Sequence, residues 1–155
     1  MALLLLSSCG FHLRGSVEIP ERYRQLSLKA NPKSNFTKAL VEQLQLNSIE
    51  ITEDAQFQLA VLGDEHEQRT VSISGRGKSA ENEILKRISF ALKNTDTDTN
   101  ISLPKTLQAR RTYLFDDTKI SAMKEQEKLI LEELEYSLAI KLLMQLQTMH
   151  PQNQP

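Results

Sequence analysis

Ala80-Glu81-Asn82-Glu83-Ile84-Leu85-Lys86-Arg87-Ile88-Ser89-Phe90-Ala91-Leu92-Lys93 admits two readings, and the fold turns on which of them holds. As a helix, Ile84, Leu85, Ile88 and Leu92 fall on one face at spacings of three and four. As a strand, Ile88, Phe90 and Leu92 alternate with Ser89, Ala91 and Lys93 and share one face of a sheet. Periodicity alone leaves both open. The choice has functional weight, because Gly77-Lys78-Ser79 just before it is the second half of a phosphate-loop signature, which requires a helix to follow. The first half is missing. The early glycine that lets backbone N–H groups wrap a phosphate is replaced by Ser72, inside an apparent strand, and no acidic strand terminus stands out as a magnesium ligand. A glycine-flanked loop carrying exposed cations is the better reading.

Outward from this segment the pattern is plainer. Phe57, Leu59, Val61 and Gly63 alternate with polar or smaller residues, and Val71-Ser72-Ile73-Ser74 alternates again. This predicts one long strand, or two, interrupted around the polar stretch from Asp64 to Arg69. Gly75 to Ser79 reads as a loop, and Thr106 to Phe115 as a further strand marked by Leu107, Ala109, Arg111, Tyr113 and Phe115. Nearer the start, Phe11 to Arg24 reads as extended and Gln25-Leu26-Ser27-Leu28 as a short strand. Asn31 to Asn35 is turn chemistry, with Asn35 placed to cap a helix. That helix carries Phe36, Leu40, Val41 and Leu44 on one face and ends at Asn47-Ser48, where Asn47 is the residue expected to turn left-handed. From Ser121 to Met149 the spacing is helical. Leu131, Leu134, Leu138, Leu142, Leu146 and Met149 form a stripe, widened by Ile130, Ala139 and Leu143, that is expected to pack over a sheet.

One domain accounts for 155 residues without internal repeat or composition break. Nineteen basic and twenty acidic residues give a net charge of -1, which argues against a general nucleic-acid binder. The chain has no tryptophan and only eight Phe and Tyr, so base-stacking platforms are few. After the first few residues nothing is apolar for long enough to cross a bilayer. A single cysteine, Cys9, excludes an internal disulfide or a multi-cysteine zinc site.

The surroundings of Cys9 explain it. Leu3 to Leu6, then Ser7-Ser8-Cys9-Gly10, is an apolar run followed by small residues and a thiol, the end of a secretory signal with a lipobox. Small residues let a peptidase reach the backbone, and the thiol then carries acyl chains, each buried methylene contributing about 0.8 kcal/mol of membrane affinity. No Lys or Arg precedes the leucines and the run is short, so 1–8 read as the remnant of a signal. Gly10, rather than Asp, after the cysteine directs such lipoproteins to the outer membrane. The domain then spans 9–149, and 150–155 form a disordered tail.

Catalytic constellations are missing from the pattern. His12, His66 and His150 are far apart and lack ligand spacing. Glu65-His66-Glu67 would point alternately to opposite faces of a strand and reads as a solvated loop. Glu125, Glu127, Glu132, Glu133 and Glu135 read as the wet face of the last helix.

Cys9-Gly10-Phe11-His12-Leu13-Arg14-Gly15 resembles the mature start of the LptE lipoproteins, which open Cys-Gly-aromatic-His-Leu-Arg. Leu40 to Glu50 is similar to that family's first helix and its exit, although Ser48 stands where a glycine is common. Ala80-Glu81 before an alternating segment, and Arg111 to Asp116 before the last helix, are similar too. The resemblance, covering Cys9 to about Leu146, implies an α+β two-layer sandwich, two helices packed on a mostly antiparallel four-stranded sheet, and makes Ala80 to Lys93 a strand. It implies a non-enzymatic outer-membrane lipoprotein that plugs the β-barrel LptD, supports its assembly and binds lipopolysaccharide, without a cofactor. Carried over by position, the lipopolysaccharide contacts are Arg76 or Lys78 in the loop, together with Lys124, and Cys9 is the lipidated residue. Cations on a glycine-flanked loop suit lipid A phosphates. Arg110-Arg111 is a rival cluster, of which a strand would present only one member to a given patch. The competing function is another periplasm-facing outer-membrane lipoprotein, a lipid-binding or envelope scaffold module.

Overall fold

The computed structural model describes residues 19–73 and 79–149. The decisive segment is a strand. Six strands, β1 (Gln25–Lys29), β2 (Glu50–Ile51), β3 (Phe57–Ile73), β4 (Ser79–Asn94), β5 (Thr99–Asn100) and β6 (Lys105–Leu114), form one sheet with two helices, α1 (Asn35–Leu46) and α2 (Ile120–Thr148). β3 and β4 pair antiparallel from Phe57 opposite Asn94 to Ile73 opposite Ser79. β4 pairs antiparallel with β6 from Phe90 opposite Lys105 to Glu81 opposite Leu114. With β3 along one edge of β4, the short β5 and the longer β6 share its other edge.

The expected four-stranded, mostly antiparallel sheet is corrected to six strands in a mixed arrangement. β1 runs parallel to both β2 and β3. The cause is α1: a helix between neighbouring strands carries the chain back to the starting end of the sheet, so the next strand must run the same way. β3 is also continuous rather than interrupted around Asp64 to Arg69, and Glu65-His66-Glu67 lies in the strand and not in a loop. The polar residues remain in the ladder because they pair across it; Glu67, for example, accepts from Arg87 at 3.1 Å. Register shifts fall on either side of that stretch, between Val61 and Gly63, where Leu62 is left 57% exposed, and again between Thr70 and Ile73.

Two local expectations are corrected as well. Ser34, not Asn35, caps α1, its Oγ accepting from the Thr37 N–H at 3.3 Å. After α1 the left-handed residue is Ser48, at φ 58°, rather than Asn47, at φ -97°. A backbone turned this way favours glycine.

On β4 the even-numbered residues face the helices. Ile88, Phe90 and Leu92 are buried with Phe36, Leu40 and Leu44 of α1 and with Leu138, Ala139, Leu142, Leu143 and Leu146 of α2. The predicted stripe on α2 is therefore core, with Leu131 only half-buried at its upper end. Tyr23 closes the base of this core. Its ring meets Phe57 edge-on at 5.1 Å, and its hydroxyl donates to the Met149 carbonyl at 2.9 Å, where the Arg22 guanidinium also donates at 3.1 Å, so the end of α2 is held by two side chains. A smaller cluster of Ile84, Tyr113, Ile130 and Leu134 continues the contact of α2 with the sheet toward the far end of the β3–β4 hairpin. The proposed tail and signal remnant, 150–155 and 1–8, lie outside the described residues.

Candidate ligand surface

α2 runs antiparallel to β6, so its first turns lie at the end of the sheet where β3 and β4 are joined. Gln68 of β3 donates to the Tyr113 hydroxyl at 2.5 Å and to Glu127 at 2.9 Å, and that hydroxyl donates to Glu127 at 2.5 Å. These bonds bind three elements at one point. Burial, and next the hydrogen bond to Glu127, push the Tyr113 phenol up to about 12. Lys124 sits roughly one turn before Glu127, toward the hairpin end, and is exposed. It makes no ion pair or hydrogen bond among the described residues. Cys9, Arg76 and Lys78 lie outside those residues.

Between the two apolar clusters lies a buried charge network that the local pattern did not reveal. Lys86, 5% exposed on the helix-facing side of β4, donates to Glu135 at 2.7 Å and to Asp64 at 2.8 Å. Asp64 in turn accepts from the Ser34 hydroxyl, which caps α1. One chain of polar contacts thus joins α1, β3, β4 and α2. Burial alone would lower the Lys86 pKa, but the hydrogen bonds and charges of Asp64 and Glu135 more than offset it and leave it raised. Glu135, 6% exposed, is accordingly not on the wet face of α2, and Glu127 is half-buried. Glu125, Glu132 and Glu133 are exposed, as expected of a solvated face, Glu133 pairing with Arg111 and the other two with Lys128. The sequence carried only a partial sign of the network: Lys86 interrupts a run of apolar positions on the buried face of its strand.

Arg110 and Arg111 point to opposite faces of β6, as strand geometry requires. Even so, both line one cleft of about 490 Å³. The expectation that only one could serve a given patch is corrected, because β6 is the outer strand along this length and the cleft wraps its edge. Lys141 and Ser137 of α2 line it on one side, Leu85 and Arg69 on the other. Arg69 is bound to Glu83 at 2.8 Å and Arg111 to Glu133. Arg110 and Lys141 have no such partner among the described residues. No group of His, Cys, Asp and Glu among those residues has the arrangement to hold a metal ion. No described helix is long and apolar enough to cross a membrane.

Comparison with known proteins gives concordant matches. The family described as LptE, lipopolysaccharide-assembly, matches residues 23–146. The LPS-assembly lipoprotein LptE of Yersinia pestis (strain Pestoides F) is 30% identical over 156 residues, which cover 97% of this chain and 73% of that protein. Among solved structures, rare lipoprotein B from Shewanella oneidensis is 27% identical with a TM-score of 0.68, covering 78% of this chain and 91% of that one. A minor lipoprotein from Acinetobacter baumannii, 22% identical, shares the fold at a TM-score of 0.71 over 86% of this chain and 98% of its own.

Proposed function

The chain belongs to the LptE lipopolysaccharide-assembly family, and we propose that it is an outer-membrane lipoprotein, anchored through Cys9, that binds lipopolysaccharide and serves the β-barrel LptD as plug and assembly partner. In this reading it is a binding and assembly subunit that catalyses nothing. The observation that carries the ligand part is the placement of the first turns of α2 beside the far end of the β3–β4 hairpin, fixed by Glu127 on Gln68 and Tyr113. Lys124 therefore lies at the end of the domain where β3 ends at Ile73 and β4 begins at Ser79, and Arg76 and Lys78 stand between those two residues in the sequence. Three cations from two separate segments suit a ligand with more than one phosphate.

The partner part is supported by the outer side of α2. Leu129, Tyr136 and Met144, 56%, 46% and 50% exposed, recur about every two turns on the side away from the core. Large side chains exposed in a row suit a helix that another protein covers. In this role the anchor holds the domain at the inner surface of the outer membrane while the barrel surrounds it.

Two measurements test the reading. Solubilising membranes of the host in detergent and recovering the chain should bring down one large β-barrel in equal amount; recovery without it refutes the partner. A Lys78→Asp, Lys124→Asp variant should bind lipopolysaccharide at least about tenfold more weakly, since about 1.4 kcal/mol, less than one charged hydrogen bond, is a factor of ten. It should still fold, because an exposed lysine carries little of the core. Unchanged binding refutes the assignment of these cations.

A further inference from the structure

We propose that the cleft around the edge of β6 is a second ligand site, separate from the hairpin end, and that it takes a phosphate-monoester headgroup carried on an apolar chain. This goes beyond the reading above and stands on different residues. The cleft is about 490 Å³, in the size range of small-molecule sites. Its lining has four cations, Arg69, Arg110, Arg111 and Lys141, against two carboxylates, Glu83 and Glu133, a surplus of two positive charges. The two carboxylates are taken up by Arg69 and Arg111, so the surplus resides on Arg110 and Lys141. A phosphate monoester carries close to two negative charges at neutral pH and three acceptor oxygens, matching a surplus of this size and the donors that present it.

Ser137, half-buried beside Lys141 on α2, adds a hydroxyl that donates to an anion. The floor on the helix side is apolar: Ala109 is half-buried and Leu134 is buried, while Leu85, also half-buried, lies across the edge on the opposite face. A free inorganic anion would leave that floor in water, whereas an attached alkyl chain covers it and gains about 25 cal/mol for each Å² removed from solvent. An acidic peptide adding as a strand to β6 is the rival occupant. Its carboxylates would meet the same cations but would leave the apolar floor on the helix side uncovered, and the test below separates the two occupants.

The geometry of the site also explains how two adjacent arginines cooperate. Arg111 holds Glu133 on the helix side of the edge, which fixes α2 against β6 and positions Lys141 two turns further along. Arg110 reaches the cleft from the other face of the strand, so the anion is approached from both sides.

The test uses the full chain and dodecyl phosphate below its micelle concentration, followed by titration calorimetry and by backbone amide shifts. Saturable binding is expected, with shifts at Ala109, Arg110 and Ser137. Arg110→Gln, Lys141→Gln should weaken it at least about tenfold, and Ser137→Glu, which adds a negative charge to the cleft, should do the same. Lys33→Gln, at an exposed cation outside both sites, should leave it unchanged, and amide shifts confined to the cleft distinguish this site from the hairpin end. Circular dichroism on each variant checks folding, and Lys141→Gln alone serves if the double variant does not fold. Equal affinity for dodecyl maltoside, equal affinity for inorganic phosphate, tighter binding of an alternating Glu-Val decapeptide, or undiminished binding to the cleft variants would each overturn the proposal.

Discussion

Replacing Lys86 by Met should destabilise the domain by about 3–5 kcal/mol, the cost of leaving a buried charge without its partner. Lys86 is 5% exposed, and its ammonium group makes bonds of 2.7 and 2.8 Å to Glu135 and Asp64. Without it, the carboxylate of Glu135, 6% exposed, has no counter-charge. Asp64 is better placed: its side chain is 23% exposed and keeps the Ser34 hydroxyl. Most of the loss therefore belongs to Glu135. In a domain of this length 1 kcal/mol corresponds to about 2–4 °C in Tm, so the variant should melt about 6–20 °C lower. Adding Glu135→Met should recover at least half of the lost stability, because two apolar side chains of similar volume can substitute for a buried ion pair. Urea unfolding at neutral pH, read by circular dichroism on the two single variants and the double, measures each value and their coupling. A Lys86→Met cost below about 1 kcal/mol, or a double variant less stable than that single one, would refute the reasoning.

Alkaline stability depends on two raised groups, Tyr113 at about 12 and Lys86. Both folded values lie above the unfolded ones near 10, so their stabilisation is complete below about pH 10 and is lost as pH climbs through the folded values. Tyr113→Phe should flatten part of that decline and remove a tyrosinate absorbance change near pH 12; an unaltered absorbance titration would contradict the assignment. Ser48→Gly should stabilise the chain by about 0.5–1 kcal/mol, since Ser48 holds φ 58° at the exit of α1, and a lower urea midpoint would show that strain is not what the position carries. Leu138→Ala, at a side chain with no exposure, should cost about 2–5 kcal/mol in the same assay, and a change within error would remove this stripe from the core.

Much of the fold was legible because side-chain periodicity is a local property. Phe36, Leu40 and Leu44 repeat as one face of α1, and Leu134 to Leu146 as the buried stripe of α2; both faces are core. The two helices were therefore bounded within a few residues. The function reading owed most to the opening from Cys9, a covalent and targeting signal that needs no fold to be read, and the family match over 23–146 agrees with it.

What local pattern left open was decided by neighbours distant in the chain. Ile84, Leu85, Ile88 and Leu92 suit a helix as well as a strand, and the strand prevails because β3 and β6 supply hydrogen-bond partners on both edges of β4. Leu85 then turns to the opposite face from Ile84. The parallel pairing of β1 also depended on which strand it met after α1. Charges were the least legible of all. Asp64, Lys86 and Glu135 occur in three separate polar contexts, and Glu135 looks no different in sequence from the solvated Glu132. Only packing removes water from around one and leaves it around the other, and only in that low-dielectric setting does the ion pair matter to the fold. Arg110 and Arg111 follow the same rule: their sequence positions determine that they point apart, while the free edge of β6 and the path of α2 determine that both meet one cleft.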